Sequence, residues 1–215
     1  MTQRPTYLPI PMLTRRHALL SGAATLFAAA TATTLRAQEA DPRLVEMVLG
    51  DPSAPVELIE YASFTCPHCA RFHNNVLPSL KSEYIESGKV KLVVREVFFD
   101  RYGLWAAMVA RCGGQARYFG ISDEIYRTQP SWTRAGNDAA VANALRQIGK
   151  LAGLTDDELS ACLSDQAYAN ALVAGYKENA ARDRIEATPT FLLNGETVSN
   201  RPWEELKSLI EAALS

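Results

Sequence analysis

Apolar runs, histidine and cysteine are all scarce in this 215-residue sequence, and each scarcity removes a class of protein. Ala18 to Leu35 is an uncharged run of 18 residues, which only reaches the lower limit for crossing a bilayer. It is mostly Ala and Thr, so it would insert weakly and argues poorly for a membrane anchor. There are three histidines and four cysteines. A tetrahedral zinc site needs about four ligands, usually in close pairs, and the chain has one close pair. No internal repeat, low-complexity tract or block of like charge is present, which excludes solenoids and charged tails. The net charge of -2 hides an asymmetry. Arg4, Arg15, Arg16 and Arg36 are the only charges in residues 1–37, leaving 18 basic against 24 acidic groups beyond them. That excess of acid is the wrong sign for a nucleic-acid footprint.

What is present begins with an address. Arg15-Arg16, the uncharged run and then Arg36-Ala37-Gln38 follow the charged, apolar, small-residue order of an export signal, with cleavage after Ala37. Residues 1–37 are therefore expected to be a signal peptide. Thr14-Arg15-Arg16 with Leu19 is similar to a twin-arginine motif, although Ala18 and Leu20 occupy its usual aromatic and lysine positions.

With 47% hydrophobic residues, the remainder is long enough for one full-sized core, or one core with an insertion. Asp41 to Pro55 reads as a polar lead-in broken by Gly50, Pro52 and Pro55. Val56 to Tyr61 reads as a buried strand and Val90 to Val97 as a second. Between them Cys69, Phe72, Val76, Leu80 and Tyr84 recur at helical spacing, with a kink expected at Pro78. Strand, helix, strand implies a parallel pair with a right-handed crossover. From Gly103 to about Arg182 the pattern turns helical, with three to five helices expected. Thr155 and Glu158 form a capping box there, and Asn137-Asp138 precedes an amphipathic run. Pro189 to Leu193 and Glu196 to Ser199 read as a hairpin about Asn194-Gly195. Asn200 is expected to cap a last helix.

Chemistry concentrates at Cys66-Pro67-His68-Cys69. Pro67 suits a first helical position, where a missing N–H costs nothing. Cys66 then sits at the positive end of the helix dipole, which lowers a thiol's pKa below its free value of ~8.5. Cys69, nearly one turn on, is close enough to close a disulfide and buried on the packing face. Such a pair exchanges disulfides: Cys66 attacks, or is left by, a partner's sulfur, and Cys69 resolves the mixed disulfide. A charged His68 ring would further favour the thiolate. The alternative is half a zinc site in which Cys66, Cys69 and His73 supply three ligands. The pairing of an export signal with a lone Cys-x-x-Cys favours redox chemistry, with no metal and no cofactor beyond the redox-active disulfide.

On these residues the sequence resembles the DsbA family of periplasmic thiol–disulfide oxidoreductases. Cys66 to Cys69 reads as that family's active-site tetrapeptide, and Glu60-Tyr61-Ala62-Ser63-Phe64 is similar to its approach. The resemblance implies an α/β, thioredoxin-like fold (βαβ…ββα) with an inserted all-helical domain. Residues 38–102 and 183–215 would form the thioredoxin-like domain and residues 103–182 the insertion. It implies Cys66 as nucleophile, Cys69 as resolving thiol, and Thr188-Pro189 as a substrate-facing loop with a cis-proline. Glu60 matches a buried acid of the family: it could relay the proton of Cys69, or be a structural group paired with a lysine. Thr188 departs from the Val of the best-known oxidants, which leaves the direction of exchange between oxidation and isomerisation or reduction. Some DsbA-like proteins carry a second, structural disulfide. Here that would be Cys112–Cys162, the alternative being two separate buried thiols.

The implied partners are reduced or unfolded exported proteins and a membrane quinone-linked oxidase of the DsbB type, with no nucleic acid. Isomerases of this group usually carry a dimerisation region, for which Gln38 to Pro55 leaves no room, so a periplasmic monomer is expected. A chaperone-like binding module, with incidental thiols, is the reading of a different class.

Overall fold

The computed structural model describes residue 41 and residues 43–215. The expected signal peptide and its twin-arginine motif lie outside the described residues.

Strand β1 (Met47–Leu49) lies inside the expected lead-in, where its three residues were too few for a periodicity to show. Strand β2 (Val56–Ala62) leads into helix α1 (Pro67–Asn75). The helical path then breaks at Val76, resumes as α2 (Leu77–Leu80) and ends in a π-helical turn, Lys81–Ile85. The break expected at Pro78 thus falls two residues earlier, because the proline has no N–H for the carbonyl of Asn74 and its ring crowds that carbonyl. Strand β3 (Val90–Glu96) follows and pairs parallel with β2 in the register Glu60 to Val94.

Six helices separate β3 from the next strand, more than the three to five expected: α3 (Arg101–Cys112), α4 (Gly114–Arg127), α5 (Gln129–Trp132), α6 (Asp138–Leu151), α7 (Asp156–Ser164) and α8 (Gln166–Asp183). Gly114, at φ 65°, lets the chain restart as α4 directly after α3. The first helix starts two residues before Gly103 because the Asp100 side chain accepts the Gly103 N–H and caps it. The Asn137 cap and the Thr155–Glu158 capping box form as expected.

Strands β4 (Thr190–Leu193) and β5 (Glu196–Ser199) make the hairpin, with Asn194 and Gly195 both at positive φ. Helix α9 (Trp203–Leu214) closes the chain. Its cap position is Pro202, not Asn200. A cap at Asn200 would place Pro202 second in the helix, removing one of the two N–H groups a capping oxygen uses.

Among the described residues the five strands form one sheet in the order β1-β3-β2-β4-β5, antiparallel except for β2 and β3. Side chains alternate along β2, and the alternation decides what each face meets. Ile59 and Tyr61 pack with Val93, Val97 and Leu192, covered by Tyr176 of α8. Leu58 and Ala62 face the main core with α1, α4 and α9, and Glu60 shares their side. The helices between β3 and β4 are tied to the sheet by a buried ion pair. Arg111 of α3 grips Glu96 of β3 through two bonds of 2.7 Å, and the Tyr118 hydroxyl donates to the same carboxylate at 2.9 Å. No helix among the described residues is long and apolar enough to cross a membrane.

Candidate functional site

Central strand β2 ends at Ala62, and four residues later the chain enters α1 with Cys66 as its N-cap. Cys66 is extended (φ -81°, ψ 119°), Pro67 is the first helical residue, and the sulfur stands where a capping oxygen normally stands. The N–H groups of His68 and Cys69, which have no carbonyl partner inside the helix, point toward it. Both groups and the Cys69 side chain act on Cys66. Its pKa is lowered to about 5, chiefly by the hydrogen bond from the Cys69 thiol, with smaller help from Thr188 and those two N–H groups, and against the cost of burial. Cys69 moves the other way. Burial pushes its thiol far above the ordinary range, and the charges of Cys66 and Glu60 add to the effect. Cys66 is half-buried and Cys69 fully buried, each with a free thiol. One sulfur is therefore an accessible thiolate and the other a hidden proton donor to it.

The tetrapeptide's middle residues are exposed. The His68 ring contacts the Arg71 guanidinium through Nδ1, so its support of the thiolate comes through its backbone N–H. Across from the motif, the Thr188–Pro189 bond is cis and the Thr188 carbonyl oxygen lies 3.4 Å from Cys66 Sγ. Pro189 is buried, immediately ahead of β4, whose pairing with β2 fixes it beside the motif.

Gln129 of α5 had no sequence signal. Its buried amide donates to the carbonyls of Phe64 (2.8 Å) and Cys66 (3.0 Å), clamping both sides of the turn into α1. Thr65 is held by Asp100, with its hydroxyl 2.7 Å from Oδ2.

Glu60 is fully buried beneath the motif, and its partner is His73, not a lysine: Nε2 lies 2.9 Å from Oε2. Lys91 of the neighbouring strand β3 pairs with Glu57 at 3.2 Å instead. His73 is one turn past Cys69 on the same helix, and that i to i+4 spacing was the available clue. The ring stacks on Tyr126 at 4.1 Å, so His73 does not join the two cysteines as a ligand set. Among the described residues no three His, Cys, Asp or Glu side chains gather as a metal site. Cys112 and Cys162 form a disulfide that links the end of α3 to α7.

A family model described as Thioredoxin matches residues 43–212. A putative protein-disulfide oxidoreductase of Rickettsia bellii is 32% identical over 79% of this chain and 64% of its own length. The chain thus spans slightly less than two thirds of that curated relative. Among solved structures, alpha-DsbA1 of Wolbachia pipientis superposes with a TM-score of 0.72 at 29% identity, covering 79% of this chain and 90% of that one. A protein-disulfide isomerase of Novosphingobium aromaticivorans superposes with a TM-score of 0.69 at 27% identity, covering 79% and 97%.

Proposed function

This chain belongs to the thioredoxin family and has its fold in the DsbA-like form, and we propose that it is a thiol–disulfide oxidoreductase that introduces disulfides into exported proteins. The observation that carries this reading is the opposed character of the two sulfurs in Cys66-Pro67-His68-Cys69. In the oxidised protein a substrate thiolate attacks Cys66, the more accessible sulfur, and Cys69 leaves with the electrons of the broken bond. A second substrate thiolate then attacks the substrate sulfur of the mixed disulfide, and Cys66 leaves as a thiolate. A low-pKa thiol leaves fastest, and its stability as an anion draws the exchange toward the reduced protein. Run in reverse, Cys69 resolves the mixed disulfide. No cofactor is needed beyond the Cys66–Cys69 couple.

Thr188 and Pro189 would receive the substrate backbone beside Cys66, and Glu60 would take the Cys69 proton. Phe99, 59% exposed one residue from the Asp100 that holds Thr65, offers apolar surface for unfolded chains. Reoxidation falls to a quinone-linked membrane partner of the DsbB type. The site of action is the periplasm, the protein a monomer, and residues 103–182 its helical insertion. Oxidised protein mixed with a reduced, unfolded substrate should yield substrate disulfides stoichiometrically, and Cys66→Ala should yield none. Undiminished action by Cys66→Ala would instead mark a chaperone-like binding module.

The likeness to a disulfide isomerase, together with Thr188 beside the nucleophile, favours a second reading in which the same site reshuffles or reduces disulfides. An isomerase would rescue a scrambled disulfide protein catalytically, whereas an oxidant would not.

A further inference from the structure

Resolution of a mixed disulfide requires Cys69, at 0% exposure, to lose its proton, and bulk water does not reach it. Beneath it lies a pair of buried side chains, each with one polar atom left over. Glu60 Oε2 is held by His73 Nε2 at 2.9 Å, while Glu60 Oε1 and His73 Nδ1 are both buried without a partner. Unsatisfied buried polar atoms are rare and call for an explanation. These two sit at opposite ends of a single hydrogen-bonded pair. At the far end, His73 forms part of the wall of a solvent-open cavity of about 480 Å³, lined also by Leu77, Lys81, Asp123 and Arg127.

We propose that Glu60 and His73 form a proton path between the Cys69 thiol and this cavity, with His73 the positioning residue that passes the proton to solvent. The proposal rests on the exchange reaction above and deepens it. As Cys69 attacks Cys66 Sγ in the mixed disulfide, its S–H proton goes to Glu60 Oε1. The carboxyl so formed turns to present that proton to His73 Nε2, the imidazole's Nδ1 proton leaves to water in the cavity, and Glu60 is a carboxylate again. The Cys69–Cys66 bond forms, the bond from Cys66 to the substrate sulfur breaks, and that sulfur departs as a thiolate. One proton has moved from Cys69 to solvent. The titratable groups around His73 are Glu60 from β2 and Tyr126 and Asp123 from α4, with Glu124 and Arg127 of α4 and Lys81 of the π-helical turn lining the same cavity. Tyr126 is kept neutral by burial and supplies a stacking surface only.

Oxidised glutathione is the probe. Reduced protein is mixed with it, quenched in acid at intervals and weighed by mass spectrometry, which separates formation of the Cys66–glutathione adduct from its resolution by Cys69. In His73→Gln and His73→Ala, adduct formation should keep its wild-type rate and resolution should slow about a hundredfold, the lower end of the range for a lost acid–base group. Free imidazole should restore resolution in His73→Ala, and Glu60→Gln/His73→Gln should be no slower than Glu60→Gln alone. Resolution at the wild-type rate in His73→Gln would overturn the path. So would equal slowing of both steps without imidazole rescue, which marks a purely structural pair. If wild-type protein forms no adduct at all, the oxidoreductase reading fails first.

Discussion

Lowering the pH should weaken the reduced protein but not the oxidised one, and Cys66 sets the size of the effect. Its folded pKa of about 5 lies below the ~8.5 of a free thiol. A depressed folded value gives stability that is complete above the unfolded value and is lost as pH falls to the folded one. Each pH unit between the two is worth ~1.4 kcal/mol. Going from pH 7 to pH 5, where half of Cys66 is still ionised, should therefore remove ~2.3 kcal/mol, or about 2 after allowing for the partial exposure of the sulfur. Cys69 adds nothing in this window, because its thiol is protonated throughout in both folded and unfolded states. Against a total stability of about 5–15 kcal/mol, such a loss is easily resolved. Urea unfolding of the reduced protein, the oxidised protein and reduced Cys66→Ser at pH 5, 6 and 7 isolates it. The reduced wild type should lose the extra 2 kcal/mol, and the other two should share only the background slope. Parallel slopes in all three, or an alkylation midpoint near 8.5, would refute the capping account of the thiolate.

Removing the second disulfide with Cys112→Ala/Cys162→Ala opens a loop whose ends are 50 residues apart. The chain-entropy relation gives a loss of roughly 4 kcal/mol, seen in calorimetry as a fall in Tm of about 8–16 °C, with glutathione exchange at Cys66 retained. Arg111→Met leaves Glu96 and Tyr118 with an unpaired buried carboxylate and should cost about 3–5 kcal/mol by urea titration. Gln129→Ala strips the buried Phe64 carbonyl of its donor, while the Cys66 carbonyl keeps the Ala70 N–H, and should cost about 1–3 kcal/mol and raise the alkylation midpoint of Cys66 as the turn into α1 loosens.

Much of this was readable along the chain because it is local. Strands β2 and β3 carry apolar residues on both faces, Asn194-Gly195 dictates its own turn, and Cys66-Pro67 marks the start of a helix. Features that depend on two distant segments were not readable. Met47–Leu49 becomes a strand only because β3 offers it an edge, and Gln129 matters only because α5 folds across the motif more than 60 residues away. Glu60 lay between: its burial followed from the strand pattern, while its partner had to be found through space. The cap of α9 was misplaced by two residues, because Asn200 is the better capping side chain while the helix begins only after Pro202.

The central claim is that Cys66–Cys69 is an oxidising couple. Equilibrating the protein in glutathione buffers and counting thiols by alkylation and mass gives its potential directly. A value near or above the ~-180 mV of disulfide isomerase is predicted, since a Cys66 thiolate stabilises the reduced form. A value near thioredoxin's ~-270 mV would contradict the account and assign the protein to reduction.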